Sequence, residues 1–363
     1  MKLRIGSDDL KAGMALAGRA VSRKSPLPIM KTLMLRANGT VELAGANAEH
    51  TVVTTVHGEV LEAGAVCVPY DNFASFVGNL SGDVSLEVQG GRLQVRTPHS
   101  SARFPLLPAE EFTTLDERVP GIVLDGPHFR GLLSRVAVAR GTDPRTLLFT
   151  GVELACDKHG EGTLSATNGI CMAHAKLGHC EGSVEMSYIL PAGTVDAVTR
   201  MTGATVQIGY ANSRLVFSDD TTLVGSSLIA GEYPNLKRML VEKTAITVVA
   251  ETDPLRWALE QAMVFGGEAN NYLTLEIGDG VLVLTGEAGE AGRSAAECAA
   301  TVDGPHLTLG VNGKQMLDGL RAVDNPSVSL HFDSQTRPVY MRRTPDDCTF
   351  QYVSVPMQLR RKA

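Results

Sequence analysis

Leu43-Ala44-Gly45-Ala46-Asn47-Ala48-Glu49 is a short apolar run that ends in small, turn-forming residues, and the same kind of stretch occurs twice more. The second copy, Leu164-Ser165-Ala166-Thr167-Asn168-Gly169-Ile170, begins 121 residues after the first. The third copy, Leu284-Thr285-Gly286-Glu287-Ala288-Gly289-Glu290, begins 120 residues after the second. Each copy is typical of a strand followed by a tight turn. Because this period is far too long for a solenoid unit, it predicts three similar domains.

Two further markers and a helical pattern repeat with the same spacing. A strand end that leads into a helix comes after the first marker, and an alternating strand follows. The strand end that leads into a helix is found at 68–73, 190–195 and 311–316, and the alternating strand at 84–88, 206–210 and 328–332. The helical patterns that open the three copies include Leu10, Phe129 and Leu255. Each copy therefore predicts an α+β domain with two helices on one side of an antiparallel sheet. The predicted domains are residues 1–121, 122–246 and 247–363.

The composition limits the class of protein. The 363 residues are 44% hydrophobic and 20% charged, which provides a sizeable core and excludes wholesale disorder. There are 33 Lys and Arg against 40 Asp and Glu, so the net charge of −7 excludes a uniformly basic nucleic-acid coat but not a local basic stripe. The six cysteines are scattered without a Cys-x-x-Cys pair, which predicts reduced thiols in a cytoplasmic protein. No apolar run reaches the roughly 18 residues that span a bilayer.

Motifs for catalysis are absent from the sequence. There is no Gly-x-x-x-x-Gly-Lys-Ser/Thr phosphate loop, no Gly-x-Ser-x-Gly elbow and no zinc spacing. The glycine-rich run 286–292 follows a strand, but no helix pattern starts there, so a plain turn is favoured over a nucleotide loop. We therefore predict no enzymatic activity, no cofactor and no metal.

The order of the motifs resembles the bacterial DNA polymerase III beta subunit, the beta sliding clamp family. Four stretches carry this resemblance beyond the repeat markers: Ser25-Pro26-Leu27-Pro28-Ile29-Met30, Leu107-Pro108-Ala109-Glu110-Glu111-Phe112, Ser227-Leu228-Ile229-Ala230-Gly231-Glu232-Tyr233-Pro234-Asn235-Leu236 and Tyr352-Val353-Ser354-Val355-Pro356-Met357-Gln358-Leu359. The resemblance implies three clamp domains and a head-to-tail homodimer that closes six domains into a ring around double-stranded DNA. The implied role is non-catalytic: the ring confers processivity on the replicative DNA polymerase, in the cytoplasm at the nucleoid. DNA polymerase, clamp loader and repair proteins are the implied partners, through short linear peptides.

For DNA, the resemblance assigns basic residues on the helices and on the loop before Pro26, with solvated surface charge as the alternative for each one. These are Arg23, Lys24, Arg135, Arg140, Arg200, Lys314 and Arg321. The chain departs from the family at two places where basic residues are common. Ala192-Gly193 follows Pro191, and Tyr70-Asp71-Asn72 follows Pro69. We therefore expect a less positive lining than in the family.

For partner proteins, the resemblance implies a hydrophobic pocket that accepts peptides of the Gln-Leu-x-Leu-Phe type, with ordinary core packing as the alternative for each apolar member. The matching positions are Phe149, Thr167, Gly169, Ile170, Cys171, Met172, Pro234, Arg238, Met239, Val353, Val355, Pro356 and Met357. The family's Thr-Asp-Gly-His-Arg-Leu loop is Thr167-Asn168-Gly169-Ile170-Cys171-Met172 here, which predicts an altered, more apolar peptide preference.

For the dimer, the resemblance implies a sheet that continues from one subunit into the next. The matching positions are Phe104 and Leu106 on one side and Val264 and Phe265 on the other. The alternative is an edge strand buried within its own domain. Pairing would cover an exposed apolar strand edge that otherwise invites aggregation.

Two other functions remain open at the level of the sequence. The first keeps the fold but differs in its role, as a divergent accessory clamp for a repair polymerase, a plasmid or a phage, or as a clamp-fold protein scaffold with weak DNA use. The altered loop and the thinned positive lining favour keeping this alternative. The second is an enzyme on a three-repeat α+β scaffold, and no motif in the sequence supports this alternative.

Overall fold

The computed structural model describes residues 1–115, 118–180, 185–267 and 270–359. The first repeat contains nine strands and two α-helices within these residues. They are β1 (Lys2–Gly6), α1 (Ser7–Ala17), β2 (Thr32–Asn38), β3 (Thr40–Ala46), β4 (His50–Val56), β5 (Glu59–Glu62), β6 (Gly64–Pro69), α2 (Tyr70–Gly78), β7 (Asp83–Gln89), β8 (Arg92–Arg96) and β9 (Ser101–Pro105).

The second and third repeats follow the same order of elements, with four described strands rather than five between the two helices. The second has β10 (Ile122–Asp125), α3 (Gly126–Ala137), β11 (Val152–Cys156), β12 (Glu161–Thr167), β13 (Cys171–His179), β14 (Met186–Leu190), α4 (Ala192–Val198), β15 (Thr205–Ala211), β16 (Arg214–Ser218) and β17 (Thr222–Ser226). The third has β18 (Ile246–Glu251), α5 (Thr252–Gly266), β19 (Tyr272–Gly278), β20 (Val281–Glu287), β21 (Arg293–Asp303), β22 (Leu307–Asn312), α6 (Gly313–Val323), β23 (Ser327–Phe332), β24 (Val339–Arg342) and β25 (Phe350–Ser354).

The repeat predicted from the three sequence markers is confirmed. The first marker covers the ends of β3, β12 and β20, and the second covers the passages from β6 to α2, from β14 to α4 and from β22 to α6. The third marker lies in β7, β15 and β23. Each helical pattern that opens a copy forms a helix directly after a short strand. The α+β class is therefore correct.

The described strands form three antiparallel sheets, two of which continue from one repeat into another. A five-stranded sheet has the order β5-β1-β7-β8-β9. An eight-stranded sheet, β10-β15-β16-β17-β4-β3-β2-β6, joins the second repeat to the first, and a twelve-stranded sheet, β14-β11-β12-β13-β25-β24-β23-β18-β21-β20-β19-β22, joins the second to the third. The three-domain boundaries at 121 and 246 stay a prediction.

The chain divides into two compact units, each with its own core. One unit consists mainly of residues 1–130 and 190–228, and the other mainly of 131–179 and 229–363. In the first unit Leu10 and Met14 of α1 are buried against the sheet, and Phe129 stacks on Phe217 with ring centroids 6.3 Å apart. In the second unit Leu259 of α5 is fully buried. Burying a side chain of this size contributes roughly 1.5–3 kcal/mol. No helix in the described residues is long and apolar enough to cross a membrane.

The small residue inside the first marker has a steric cause. A Cβ added at Gly45 would overlap the carbonyl oxygen of Ala17 in α1, and a Cβ added at Gly286 would overlap the carbonyl oxygen of Ala262 in α5. The strand backbone thus lies directly against the helix backbone at both places, and only glycine permits this approach. The marker found in the sequence is therefore the contact between helix and sheet.

We expect Gly286→Ala to destabilise the protein by about 1–3 kcal/mol, because the added methyl group forces α5 away from β20. The measurement is the midpoint of thermal unfolding followed by circular dichroism. Gly131→Ala is the matched control, since a Cβ there meets no atom within 4 Å and an alanine inside helix α3 is favourable. Equal midpoints for the two variants would contradict the steric explanation.

Candidate functional site

A tightly bonded turn joins β12 to β13. The Asn168 side-chain oxygen Oδ1 accepts hydrogen bonds from the backbone N–H groups of Ile170 (2.9 Å) and Cys171 (2.8 Å). Thr167 Oγ1 donates to the carbonyl oxygen of Cys171 (2.7 Å) and accepts from the N–H of Gly169 (3.0 Å). Gly169 has a φ of 88°, in the left-handed region that favours glycine. The turn is therefore rigid, and it leaves the Ile170 side chain 55% exposed.

Two other segments are attached to this turn. The backbone N–H of Thr167 donates to the hydroxyl oxygen of Tyr233 over 3.0 Å. Burial raises the pKa of Tyr233 to about 12, so this hydroxyl group stays protonated at neutral pH. The carbonyl oxygen of Ile170 accepts from the N–H of Val355 over 3.1 Å, which holds the C-terminal segment beside the turn. Main-chain and hydroxyl hydrogen bonds thus bring three distant parts of the sequence together.

A cleft of about 150 Å³ opens between these segments in the second unit. Its rim carries three exposed apolar side chains, Ile170, Met239 and Val355, and its floor includes the buried Met172 and Val353. The full lining is Phe149, Thr167, Gly169, Ile170, Cys171, Met172, Pro234, Leu236, Met239, Val353 and Val355. An apolar cleft with exposed apolar residues at its rim is typical of a site that receives the apolar side chains of a partner.

The structure places ten of the thirteen predicted pocket residues in this lining. Arg238 lies beside the cleft, exposed on the 3-10 helix Leu236–Met239. Pro356 and Met357 follow the lining residue Val355, and the N–H of Met357 donates to the carbonyl oxygen of Gly310 over 2.8 Å. The lining residue that sequence reasoning missed is Leu236. The signal in the sequence was an apolar residue, Leu236, between the polar residues Asn235 and Lys237.

The chemistry of the cleft favours docking over catalysis. Cys171 is the one lining residue with a thiol, and burial raises its pKa, so it stays protonated at neutral pH. A protonated thiol is a weak nucleophile and a poor metal ligand. The described residues contain no group of His, Cys, Asp and Glu side chains that could hold a metal ion.

The predicted DNA residues of the first unit, Arg23, Lys24 and Arg200, are all exposed. Arg23 Nε lies 3.1 Å from Asp71 Oδ1, and its guanidinium group lies 5.4 Å from the centre of the Tyr70 ring. Asp71 therefore partly neutralises the charge of Arg23. Sequence reasoning missed Arg19, which is exposed just after the end of α1 and lines the same surface cleft as Arg23.

In the second unit the predicted DNA residues differ in their accessibility. Lys314 and Arg321 are exposed on α6, where Arg321 forms an ion pair with Asp318 over 3.1 Å, and Arg140 is half-buried. The prediction for Arg135 is wrong, because its side chain is buried at 7% exposure. Its Nε donates to the carbonyl oxygen of Ala322 over 2.6 Å, and its guanidinium group lies 3.9 Å from the Phe350 ring centre. Arg135 thus fastens α3 to the end of α6.

The predicted dimer residues fall on different kinds of element. Phe104 lies on β9, the edge strand of the five-stranded sheet, and its ring packs edge-on against Phe73 with centroids 5.5 Å apart. Leu106 is half-buried just after this strand. Val264 and Phe265 lie on helix α5, so the expectation that they extend a sheet is wrong. A helix has no free strand edge, and these two side chains are able only to flank such a junction.

Three family models match consecutive parts of the chain. They are the N-terminal, central and C-terminal domains of the DNA polymerase III beta subunit, matched by residues 1–116, 123–235 and 237–358. The chain belongs to the DNA polymerase III beta subunit family. Its fold is that of the family's solved structures.

Curated relatives and solved structures agree with these matches. The beta sliding clamp of Streptomyces coelicolor is 24% identical, over 99% of this chain and 100% of the relative, and that of Staphylococcus aureus is 25% identical over 92% and 93%. Crystal structures of the beta subunits from Streptococcus pyogenes and Thermotoga maritima align with TM-scores of 0.90 and 0.88 at 19% and 22% identity. Both alignments cover 99% of this chain and 100% of the other.

A buried histidine lies two residues beyond the pocket floor. His174 is 2% exposed, and its Nδ1 lies 3.0 Å from the hydroxyl oxygen of Ser165. Burial, together with Lys237 and Lys176, lowers the pKa of His174 from 6.5 to about 4. The imidazole is therefore neutral in the folded protein at neutral pH.

This shift makes stability depend on pH. Between pH 6.5 and about 4 the unfolded chain binds a proton at His174 that the folded chain does not, so the free energy of unfolding falls as the pH falls. The limit is about 1.4 kcal/mol per pH unit. We expect His174→Gln to reduce the loss of stability between pH 6.5 and pH 4.5 by roughly 1–2 kcal/mol, measured by urea unfolding at fixed protein concentration. Replacing the exposed His128 in the same way is the control, and an equal effect of both substitutions would contradict this assignment.

Proposed function

We propose that this protein is a sliding clamp that confers processivity on a replicative DNA polymerase. Two copies associate head to tail into a ring around duplex DNA, and the ring tethers the polymerase without any catalytic step of its own. The observation that carries this proposal is the consecutive match of all three beta subunit domains over almost the whole chain. The curated relatives that match over the same length are named beta sliding clamps.

The charge distribution supports encirclement rather than tight adhesion to DNA. A net charge of −7 disfavours binding of the outer surface to DNA, while exposed basic residues such as Lys24, Arg200 and Lys314 supply phosphate contacts that read no sequence. Ion pairs of Arg23 with Asp71 and of Arg321 with Asp318 reduce the free positive charge. Retention on DNA would therefore come mainly from topology.

The apolar cleft is the proposed docking site for partner peptides. Its exposed rim and its buried floor accept leucine and phenylalanine side chains of an extended segment. Met172 and Met239 have flexible side chains that adapt to different partners. Ile170 and Cys171 stand where the family has a His-Arg pair, so we propose that this pocket prefers more apolar peptides.

We expect Ile170→Ser and Val355→Ser each to weaken peptide binding roughly ten-fold, because each removes an apolar rim group. The measurement is fluorescence anisotropy of a labelled Gln-Leu-x-Leu-Phe peptide. Trp257→Ser is the matched control, since Trp257 is also exposed, at 56%, but does not line the cleft. If all three variants bound the peptide as the unsubstituted protein does, the cleft would not be the docking site.

An accessory clamp that serves a repair polymerase, a plasmid or a phage is the second candidate. The Ile170-Cys171 pair and the partial neutralisation of Arg23 favour it. Peptides from the host's main replicative polymerase separate the two candidates. The replicative clamp docks them tightly, whereas an accessory clamp docks them weakly and prefers another sequence.

Retention on nicked circular plasmid tests the proposed function. The clamp is loaded with clamp loader and ATP, and gel filtration follows it before and after the plasmid is cut once. We expect retention on the circle that is lost on the linear form, because a ring slides off a free end. Retention on both forms would show adhesive binding, and no retention beside a control clamp that loads would contradict the proposal.

A further inference from the structure

Two strand pairs inside the chain join one repeat to the next. In the first unit β17, the last strand of the second repeat, pairs with β4 of the first, and Val224 lies opposite Val52. In the second unit β25, the last strand of the third repeat, pairs with β13 of the second, and Tyr352 lies opposite Ala173. Both junctions therefore connect the last strand of one repeat to the strand after the first marker of another.

The two junctions have the same register. Leu86, Ile208 and Leu330 occupy equivalent positions in the third marker of the three repeats. In each sheet, the residue two strands away in the same cross-strand row is Ala102, Val224 or Tyr352, respectively. The first marker equates Gly45, Ala166 and Gly286, and these residues pair with Val52, Ala173 and Ser294 on the strands that follow. Both observed junctions join equivalent positions, so the third junction would place Ala102 opposite Ser294.

The strands of this third junction both have a free edge in the described part of the chain. The edge strand β9 pairs only with β8. On β21, residues 293–299 pair with β20, while β18 pairs only with 300–303. Phe265 packs beside this free half, because a Cβ added at Gly292 would lie 2.7 Å from its ring. The apolar side chain of Phe265 thus flanks the free edge.

In the proposed head-to-tail dimer, β9 of one copy pairs antiparallel with residues 293–299 of a second copy, with Ala102 opposite Ser294. We propose that this register sets Arg103 directly against Arg293, so that the seam carries a like-charged pair. This inference rests on the proposed head-to-tail dimer and specifies its contact. Arg103 and Arg293 are both exposed and one residue away from the Ala102–Ser294 pair, on the other face of the sheet. Four side chains then lie opposite one another on neighbouring strands across the seam, in the order Gln94, Arg103, Arg293 and Glu287. They carry two positive charges and one negative charge.

The like-charged pair weakens the seam at a position where the two internal junctions carry no charge. Like charges directly opposite each other destabilise a strand pair. The equivalent pairs of the internal junctions are Gly225 with Thr51 and Val353 with Met172, which carry no charge. The ring therefore holds a repulsive strand pair at the place where it has no covalent connection. This pair makes the strength of the seam depend on salt.

A charge-reversal cycle tests the repulsive pair. We expect Arg103→Glu to lower the dimer dissociation constant roughly two- to five-fold at low salt, because it turns repulsion into attraction. In the double variant Arg103→Glu with Arg293→Glu the pair is again like-charged, so the gain is lost. The dissociation constants come from sedimentation velocity over a dilution series. Lys158→Glu changes the net charge equally at an exposed turn away from the seam and is the control.

Salt dependence gives an independent readout. Added salt screens like charges and opposite charges alike. The dimer of the unsubstituted protein is expected to tighten as sodium chloride rises, while that of Arg103→Glu weakens. Equal salt dependence of the two dimers, or an additive effect in the double variant, would overturn the repulsive pair.

Disulfide trapping tests the register. Ser101 and Ala295 lie directly opposite in this register, are exposed and are small, so Ser101→Cys with Ala295→Cys is expected to form covalent dimers on oxidation. Ser101→Cys with Glu297→Cys reports a slip of two residues and is the matched control. The unsubstituted protein controls for the native cysteines, of which five are buried and Cys348 is partly exposed.

The outcomes separate this inference from the proposed function. A dimer in sedimentation that traps through Glu297 but not through Ala295 overturns the register and leaves the clamp intact. A protein that stays monomeric at all concentrations overturns the ring itself, and with it the proposed function. Trapping through Ala295 with an unchanged dissociation constant in Arg103→Glu confirms the register and overturns the repulsion.

Discussion

Strand pairing between repeats is the constraint on which the rest of the structure depends. The pairs β17–β4 and β13–β25 turn repeats that are separate in sequence into continuous sheets. Because main-chain hydrogen bonds carry these junctions, their register follows from the backbone and tolerates large differences in side chains. Gly225 with Thr51 and Val353 with Met172 occupy equivalent positions with no common chemistry. Such a junction can be used a third time between two copies of the chain.

The same constraint builds the apolar cleft. Pairing of β13 with β25 brings Met172 next to Val353, and the tight turn at Asn168 then exposes Ile170 beside Val355. The rigid turn and the buried floor preorganise the cleft, so little conformational entropy is lost when a peptide binds. The apolar rim is therefore compatible with a stable fold, because the hydrogen bonds beneath it are already satisfied.

Arginine illustrates how strongly position decides the role of one residue type. Arg135 is buried and fastens α3 to α6, Arg342 is fully buried and donates to the carbonyl oxygens of Glu242 and Pro345, and Arg23 is exposed and pairs with Asp71. A buried guanidinium group requires several acceptors to offset its loss of water. The acceptors are carbonyl oxygens near the end of α6 for Arg135 and in loops for Arg342, and no local pattern in the sequence marks them.

The sequence by itself determined the repeat and the α+β class, and its resemblance to a known family located most of the cleft lining. The markers at Leu43, Leu164 and Leu284 recur because each repeat packs a strand against a helix. At Gly45 and Gly286 the strand backbone lies directly against the helix backbone, so a small residue is required at a regular spacing in the sequence. Only the tertiary structure decided that the sheets run on through the repeats, that Arg135 is buried, that Leu236 enters the cleft and that Val264 stands on a helix. These features depend on which distant backbone or side chain meets each residue. A strand edge or an exposed arginine has the same local sequence whether its partner is near, far away in the chain, or in another molecule.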